Sequence, residues 1–111
     1  MNQYFVHEVD QAKSFINEKV YDKAFYHLER AHVIGQRSVI LHAISHFYML
    51  KIGILKRDFR EIIGQLIRLP LGILGSAVGI VPTGNTGGSN VSAFVKMDIP
   101  EDLKKMIDRS L

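Results

Sequence analysis

The sequence contains no cysteine. That absence excludes disulfides, thiolate zinc sites, iron–sulfur clusters and cysteine nucleophiles together, and it agrees with a reducing compartment. Charge of one sign is also scarce, since 14 basic residues against 11 acidic ones leave a net charge of only +3. Lys51, Lys56, Arg57, Arg60 and Arg68 thicken one region, but Asp58 and Glu61 interrupt it. No RNA- or DNA-binding signature accompanies them, so a solvated helical face is expected and a nucleic-acid partner is not. The N-terminus has no basic stretch followed by an apolar run, which points to a cytoplasmic location. No period of about 20–50 residues recurs, and this excludes a solenoid array.

What is present suffices for a core. The 111 residues are 47% hydrophobic and 23% charged, which fits one helical domain over 1–111 rather than a disordered chain. Apolar side chains recur at helical spacing over 4–18 through Phe5, Val9, Ala12, Phe15 and Ile16, then restart at Tyr21. From Tyr21 to Ile34, Ala24, Phe25, Leu28, Ala31 and His32 share a face. Gly35 is placed to end this second helix in a left-handed cap, and Ser38 to cap a third helix over about 39–55. The short connection makes helices two and three an antiparallel hairpin. The third helix is apolar almost all round, which predicts a place in the middle of the bundle. Asp58 is placed to cap a fourth helix that Pro70 ends or kinks. The expected class is therefore all-α, a small helical bundle with an irregular, Gly-rich C-terminal segment. Val91 to Met97 reads as extended, and Pro100-Glu101-Asp102 opens a short last helix.

Leu69 to Val81 is apolar but punctuated by Gly72, Gly75 and Gly79. It is too short for a transmembrane span, which needs about 20 apolar residues. A buried segment closing the bundle is the expected reading, ahead of a membrane-surface role. The Gly75-xxx-Gly79 spacing also matches a close-packing motif, a weak one outside a membrane helix.

The chemistry-bearing residues cluster. Five histidines occur, and His27, His32, His42 and His46 fall within one stretch. Glu29 and His32 are three apart on helix two, while His42 and His46 are four apart on helix three, so each helix can offer two ligands to one ion. In an antiparallel hairpin turning near Arg37, His32 faces His42 and Glu29 faces His46. At a rise of about 1.5 Å per residue, the four donors span roughly 5–6 Å along the axis. Glu29, His32, His42 and His46 are the candidate metal ligands. A nitrogen and oxygen donor set without sulfur suits a divalent transition metal, zinc or iron first. His27 projects about 140° from His32 and is expected at the rim of such a site. The His-Glu-x-x-His motif is absent and no Ser occupies a nucleophile elbow, so neither a catalytic base nor a nucleophile is assignable and an enzyme is not the leading expectation. The Gly84-Asn85-Thr86-Gly87-Gly88 stretch lacks a P-loop ending and reads as a turn, the alternative being a lid in which Asn85 or Asn90 leans over the histidines.

Two resemblances follow from particular residues. Tyr21-Asp22 followed by Ala24-Phe25-Tyr26-His27-Leu28-Glu29-Arg30-Ala31-His32 resembles the second helix of a tetratricopeptide hairpin, which implies such a hairpin over 4–34. The block His27 to Ser38, then His42, His46, Met49-Leu50 and Gly84 to Phe94, resembles the bacterial family called domain of unknown function 3703. That resemblance implies that the His/Glu block and the glycine loop belong to one signature, without supplying an activity. The leading reading is a small transition-metal-binding protein. Its rival is an interaction module without metal, in which Leu69–Val81 docks a protein partner, a second copy or a membrane surface.

Overall fold

A computed structural model describes residues 2–110. Five helices follow in order: α1 (Gln3–Asn17), α2 (Tyr21–Gly35), α3 (Val39–Lys56), α4 (Phe59–Val78) and α5 (Glu101–Ser110). No strand occurs among the described residues, so the chain is all-α. Each helix packs on its neighbour in sequence from α1 to α4, and α5 returns to α2. The predicted N-caps form. Ser38 Oγ accepts from the Leu41 N–H at 3.3 Å and Asp58 from the Glu61 N–H at 3.1 Å.

Two apolar clusters hold α1, α2, α3 and α5 together. Phe5, Val9, Ala31, Val33, Ile34 and Leu103 form one, and Ala12, Ala24, Leu28, Met49 and Ile52 the other. Burying each Leu, Ile, Phe or Met of these sets is worth about 1.5–3 kcal/mol. Helix α4 contributes to neither cluster; its buried residues are Glu61, Gly64, Gln65 and Ser76. It therefore adheres through a polar and small-residue stripe, while Phe59, Ile63, Leu66, Leu74 and Val78 face outward.

That arrangement corrects several expectations. The Leu69–Val81 segment does not bury itself to close the bundle: Leu71, Ile73, Leu74, Val78 and Ile80 are all exposed. Pro70 does not end the fourth helix, which runs through it to Val78. A proline costs the bond to the carbonyl four residues back, and here that residue, Leu66, is on the exposed side. Helix α3 lies between α2 and α4 as expected, but it is not covered all round and leaves Ile40, Phe47, Ile54 and Leu55 exposed. Helices α3 and α4 are both long and apolar enough to cross a membrane by length and composition.

The glycines also differ from expectation. Gly35 stays helical, with Gln36 as the right-handed cap, and its role is space: a Cβ there would stand 2.7 Å from that of Leu41. Gly79 supplies the left-handed cap of α4 at φ 77°, with the Ile80 N–H bonded to the Gly75 carbonyl. The Gly75-xxx-Gly79 spacing is thus a helix stop. Val91–Met97 forms no strand; it loops, with the Asn85 side-chain amide donating to the Ser92 and Val95 carbonyls. The α1–α2 hairpin forms, and beyond that pairing nothing bears on the tetratricopeptide likeness.

Candidate metal centre

Three of the four candidate ligands converge. The Nε2 atoms of His32 and His42 lie 2.9 Å apart, those of His32 and His46 3.1 Å, and those of His42 and His46 3.1 Å. All three residues are buried, at 2–3% exposure, and they form the one group among the described residues with the makings of an ion site. Helix α2 supplies His32, and α3 presents His42 and His46 from successive turns. Antiparallel pairing brings them level, as the spacing about Arg37 requires.

Proton bookkeeping at the other ring nitrogens decides what these contacts are. His32 Nδ1 lies 2.7 Å from the Asn85 carbonyl, which can only accept, so that nitrogen carries the hydrogen. His46 Nδ1 lies 2.6 Å from Gln65 Oε1, and the Gln65 amide group donates elsewhere, to Glu61 and the Gly87 carbonyl. His42 Nδ1 lies 2.6 Å from Ser76 Oγ, whose own hydrogen goes to the Gln36 carbonyl at 2.9 Å. All three neutral rings are therefore Nδ1–H tautomers, and all three Nε2 atoms present bare lone pairs to one another. No hydrogen remains to bridge any pair of them.

Burial also keeps the rings uncharged. It pushes His42 and His46 down to about 4, and His32 well below the usual histidine range. Neighbouring imidazoles add to this at His32 and His42, and the Arg68 charge does so at His32 and His46. Hydrogen bonds to Asn85 at His32, to Gln65 at His46 and to the Gly72 backbone at His42 pull the other way without overcoming desolvation.

The donor set fits a metal. A tetrahedral ion holding imidazoles at 2.0–2.1 Å needs nitrogens about 3.3 Å apart, a few tenths of an ångström wider than this triangle. Each Nδ1–H already donates to an oxygen, the outer arrangement that fixes tautomer and ring orientation around ligating histidines. A fourth direction is open as well. A Cβ at Gly72 would stand 3.2 Å from His42 Nε2 and 3.3 Å from His46 Cδ2, so the missing side chain leaves room beside the triangle.

Glu29 is not brought into this group. It lies half-buried by Thr86 and Glu61, where burial raises its carboxyl above the ordinary range, the Thr86 hydrogen bond opposes this, and the Glu61 charge adds to it. His27 is far from the cluster in role: Nδ1 pairs with Glu8 at 2.8 Å, and Arg30 Nε binds the same oxygen at 3.0 Å. Those bonds tie α1 to α2.

Sequence reasoning missed the supporting residues of α4, Gln65, Gly72 and Ser76, whereas of the two loop asparagines it offered, Asn85 is the one that reaches the cluster, through its carbonyl. A signal existed, because Glu61, Gln65, Gly72 and Ser76 mark one polar or small stripe at helical spacing along an otherwise apolar helix. The loop is more than a turn. Gln36 grips it through the Gly84 N–H and the Pro82 carbonyl, Glu61 accepts from the Ser89 N–H and hydroxyl, and Gly87 packs on the His32 ring.

Fold and cluster together define a small all-α protein with a buried three-histidine group able to hold an ion. The chain belongs to DUF3703, a family described as a protein of unknown function, which matches residues 1–107. Neither the curated proteins nor the solved structures yield a match to this chain.

Proposed function

We propose that this protein binds one divalent transition-metal ion through the Nε2 atoms of His32, His42 and His46. The observation that carries this reading is the set of three bare, buried lone pairs within 3.1 Å of one another. Leaving them so is costly, because a buried polar group without a partner forfeits about 1–3 kcal/mol. One cation satisfies all three at once, and the rings are already in the neutral form that binds it. Zinc is the preferred ion over iron. Three neutral imidazoles with one open position suit zinc, whereas the usual non-haem iron triad needs a carboxylate that Glu29 does not supply. The ion has a structural consequence. Because α4 shares no apolar core, a metal held on α2 and α3 would fix the rings to which Gln65, Ser76 and Asn85 attach, and so pin α4 and the loop in place.

The test is zinc titration of chelator-treated protein, followed by calorimetry. The expected stoichiometry is one ion per chain. A His42→Ala, His46→Ala variant, checked for folding by circular dichroism, is expected to bind none; unchanged stoichiometry in it contradicts the proposal.

A second reading concerns the outer face of α4 and has its own observation. Phe59, Ile63, Leu74 and Val78 are each at least 60% exposed, more apolar surface in one place than scattered residues explain. This face serves as a docking surface for a second copy of the chain or a membrane, alongside the metal. Concentration-dependent sedimentation and liposome co-sedimentation distinguish these, and the absence of both removes the reading.

A further inference from the structure

A cavity of about 390 Å³ adjoins the three histidines and accounts for the space beside Gly72. Its volume falls within the usual range for small-molecule sites, about 300–1,000 Å³. The walls are apolar, formed by Leu71, Leu74 and Val78 of α4 together with Ile80 and Phe94. Two cationic side chains, Arg68 and Lys96, also line it, and no carboxylate among the described residues does. Arg68 is bonded only to the Gly64 and Val91 carbonyls, and its Nε is buried with no hydrogen-bond partner. A divalent ion on three neutral imidazoles would thus share the cavity with one or two further positive charges and nothing negative. Cations gathered in this way with no carboxylate beside them favour an anion in the cavity.

We infer that the open position of the three-histidine centre takes the carboxylate of an apolar monocarboxylate, whose chain lies in the cavity along Leu71, Leu74, Val78 and Phe94. This inference rests on the metal reading above and adds to it a ligand class. The carboxylate oxygen completes the coordination that Gly72 leaves open. Arg68 and Lys96 offset the charge of the head group, and the α4 wall gives the tail apolar contact. The cavity also gives the inner side of the exposed Leu69–Val81 segment a purpose that bundle packing does not.

The experiment uses the full chain loaded with cobalt(II), whose visible absorption reports changes in its ligands. Acetate, butanoate, hexanoate and octanoate are titrated in turn, with octanol and octylamine as uncharged and cationic controls. The expected result is a spectral shift with every carboxylate and an affinity that rises up to about fourfold per added methylene. The two controls are expected to leave the spectrum unchanged. A Lys96→Gln variant is expected to weaken octanoate binding severalfold while octylamine still leaves the cobalt spectrum unchanged. Affinity independent of chain length overturns the assignment of the cavity, and equal binding of octylamine overturns the charge argument. A protein that develops no histidine-dependent cobalt band fails at the metal reading itself, an outcome distinct from a cobalt band that carboxylates do not move.

Discussion

His32 and His46 point their Nε2 atoms at each other across 3.1 Å while each spends its only ring hydrogen elsewhere, on the Asn85 carbonyl and on Gln65. Two lone pairs so placed repel. The same holds for both contacts made by His42, so the three rings form a preorganised electron-rich pocket. A hydrogen-bonded histidine core would have distributed its protons around the triangle. This one directs them all outward.

Glu29→Gln separates the three-histidine site from the wider set of four that spacing suggests. The carboxyl lies beside Thr86 and Glu61, outside the cluster. Zinc stoichiometry is expected to remain one per chain, with affinity within about threefold of the parent. Loss of zinc binding, read by calorimetry, would restore Glu29 as a ligand.

Gln65→Leu removes the acceptor that holds His46 in its Nδ1–H form and leaves the buried Glu61 without its 2.7 Å donor. Outer-shell losses of this kind typically cost about 10–100-fold in metal affinity. A competition assay with a chromophoric chelator should show a fall of that size, and the variant should retain one-to-one stoichiometry. An unchanged affinity argues that the ring is oriented by packing alone.

Acid should weaken the metal-free fold over a defined window. An unfolded histidine titrates near 6.5, whereas in the folded protein burial holds His42 and His46 at about 4 and His32 well below its ordinary range. Above about pH 6.5 both states are neutral at these rings and stability does not depend on them. Between that value and about 4 the unfolded chain takes up protons that the folded one refuses, so stability falls as pH falls. Three such groups give a slope of at most about 4 kcal/mol per pH unit. Urea midpoints of the metal-free protein at pH 8, 7, 6 and 5 measure it. A His42→Asn variant should show a shallower decline, and a flat midpoint from pH 7 to 5 in the parent contradicts neutral burial.

Gly87→Ala tests whether the glycine loop is built around His32. The backbone there has φ 89°, and an added Cβ would meet the His32 ring within 2.8 Å. Left-handed strain of about 1–2 kcal/mol adds to a clash with a ring that cannot move without breaking its bond to Asn85. The variant is expected to lose more than about 2 kcal/mol in denaturant unfolding and to bind zinc more weakly. Stability within about 0.5 kcal/mol of the parent would show the loop to be loosely attached.

Much of this fold was legible because local rules and tertiary packing agree. The caps at Ser38 and Asp58 formed where short polar side chains precede an apolar period, and the α2–α3 hairpin followed from the three residues between Gly35 and Val39. The same hairpin made His32, His42 and His46 meet, since equal distance from a tight turn fixes height. Direction was harder. Glu29 is about 60° round the helix from His32, enough for it to face Thr86 while the imidazole faces α3. The role of α4 was least visible, because hydrophobicity suggested burial. Its few polar and small residues turn inward instead, toward a site that needs hydrogen-bond acceptors, and the apolar majority is left outside. Spacing could not choose between Asn85 and Asn90, since which of them reaches His32 depends on the loop's path.

The central claim concerns which atoms hold the ion, and X-ray absorption fine structure at the zinc edge of zinc-loaded protein reads that directly. Three imidazole nitrogens at about 2.0–2.1 Å and one oxygen donor in the fourth position are expected. A shell with fewer than three imidazoles, or with protein carboxylates in their place, would contradict it.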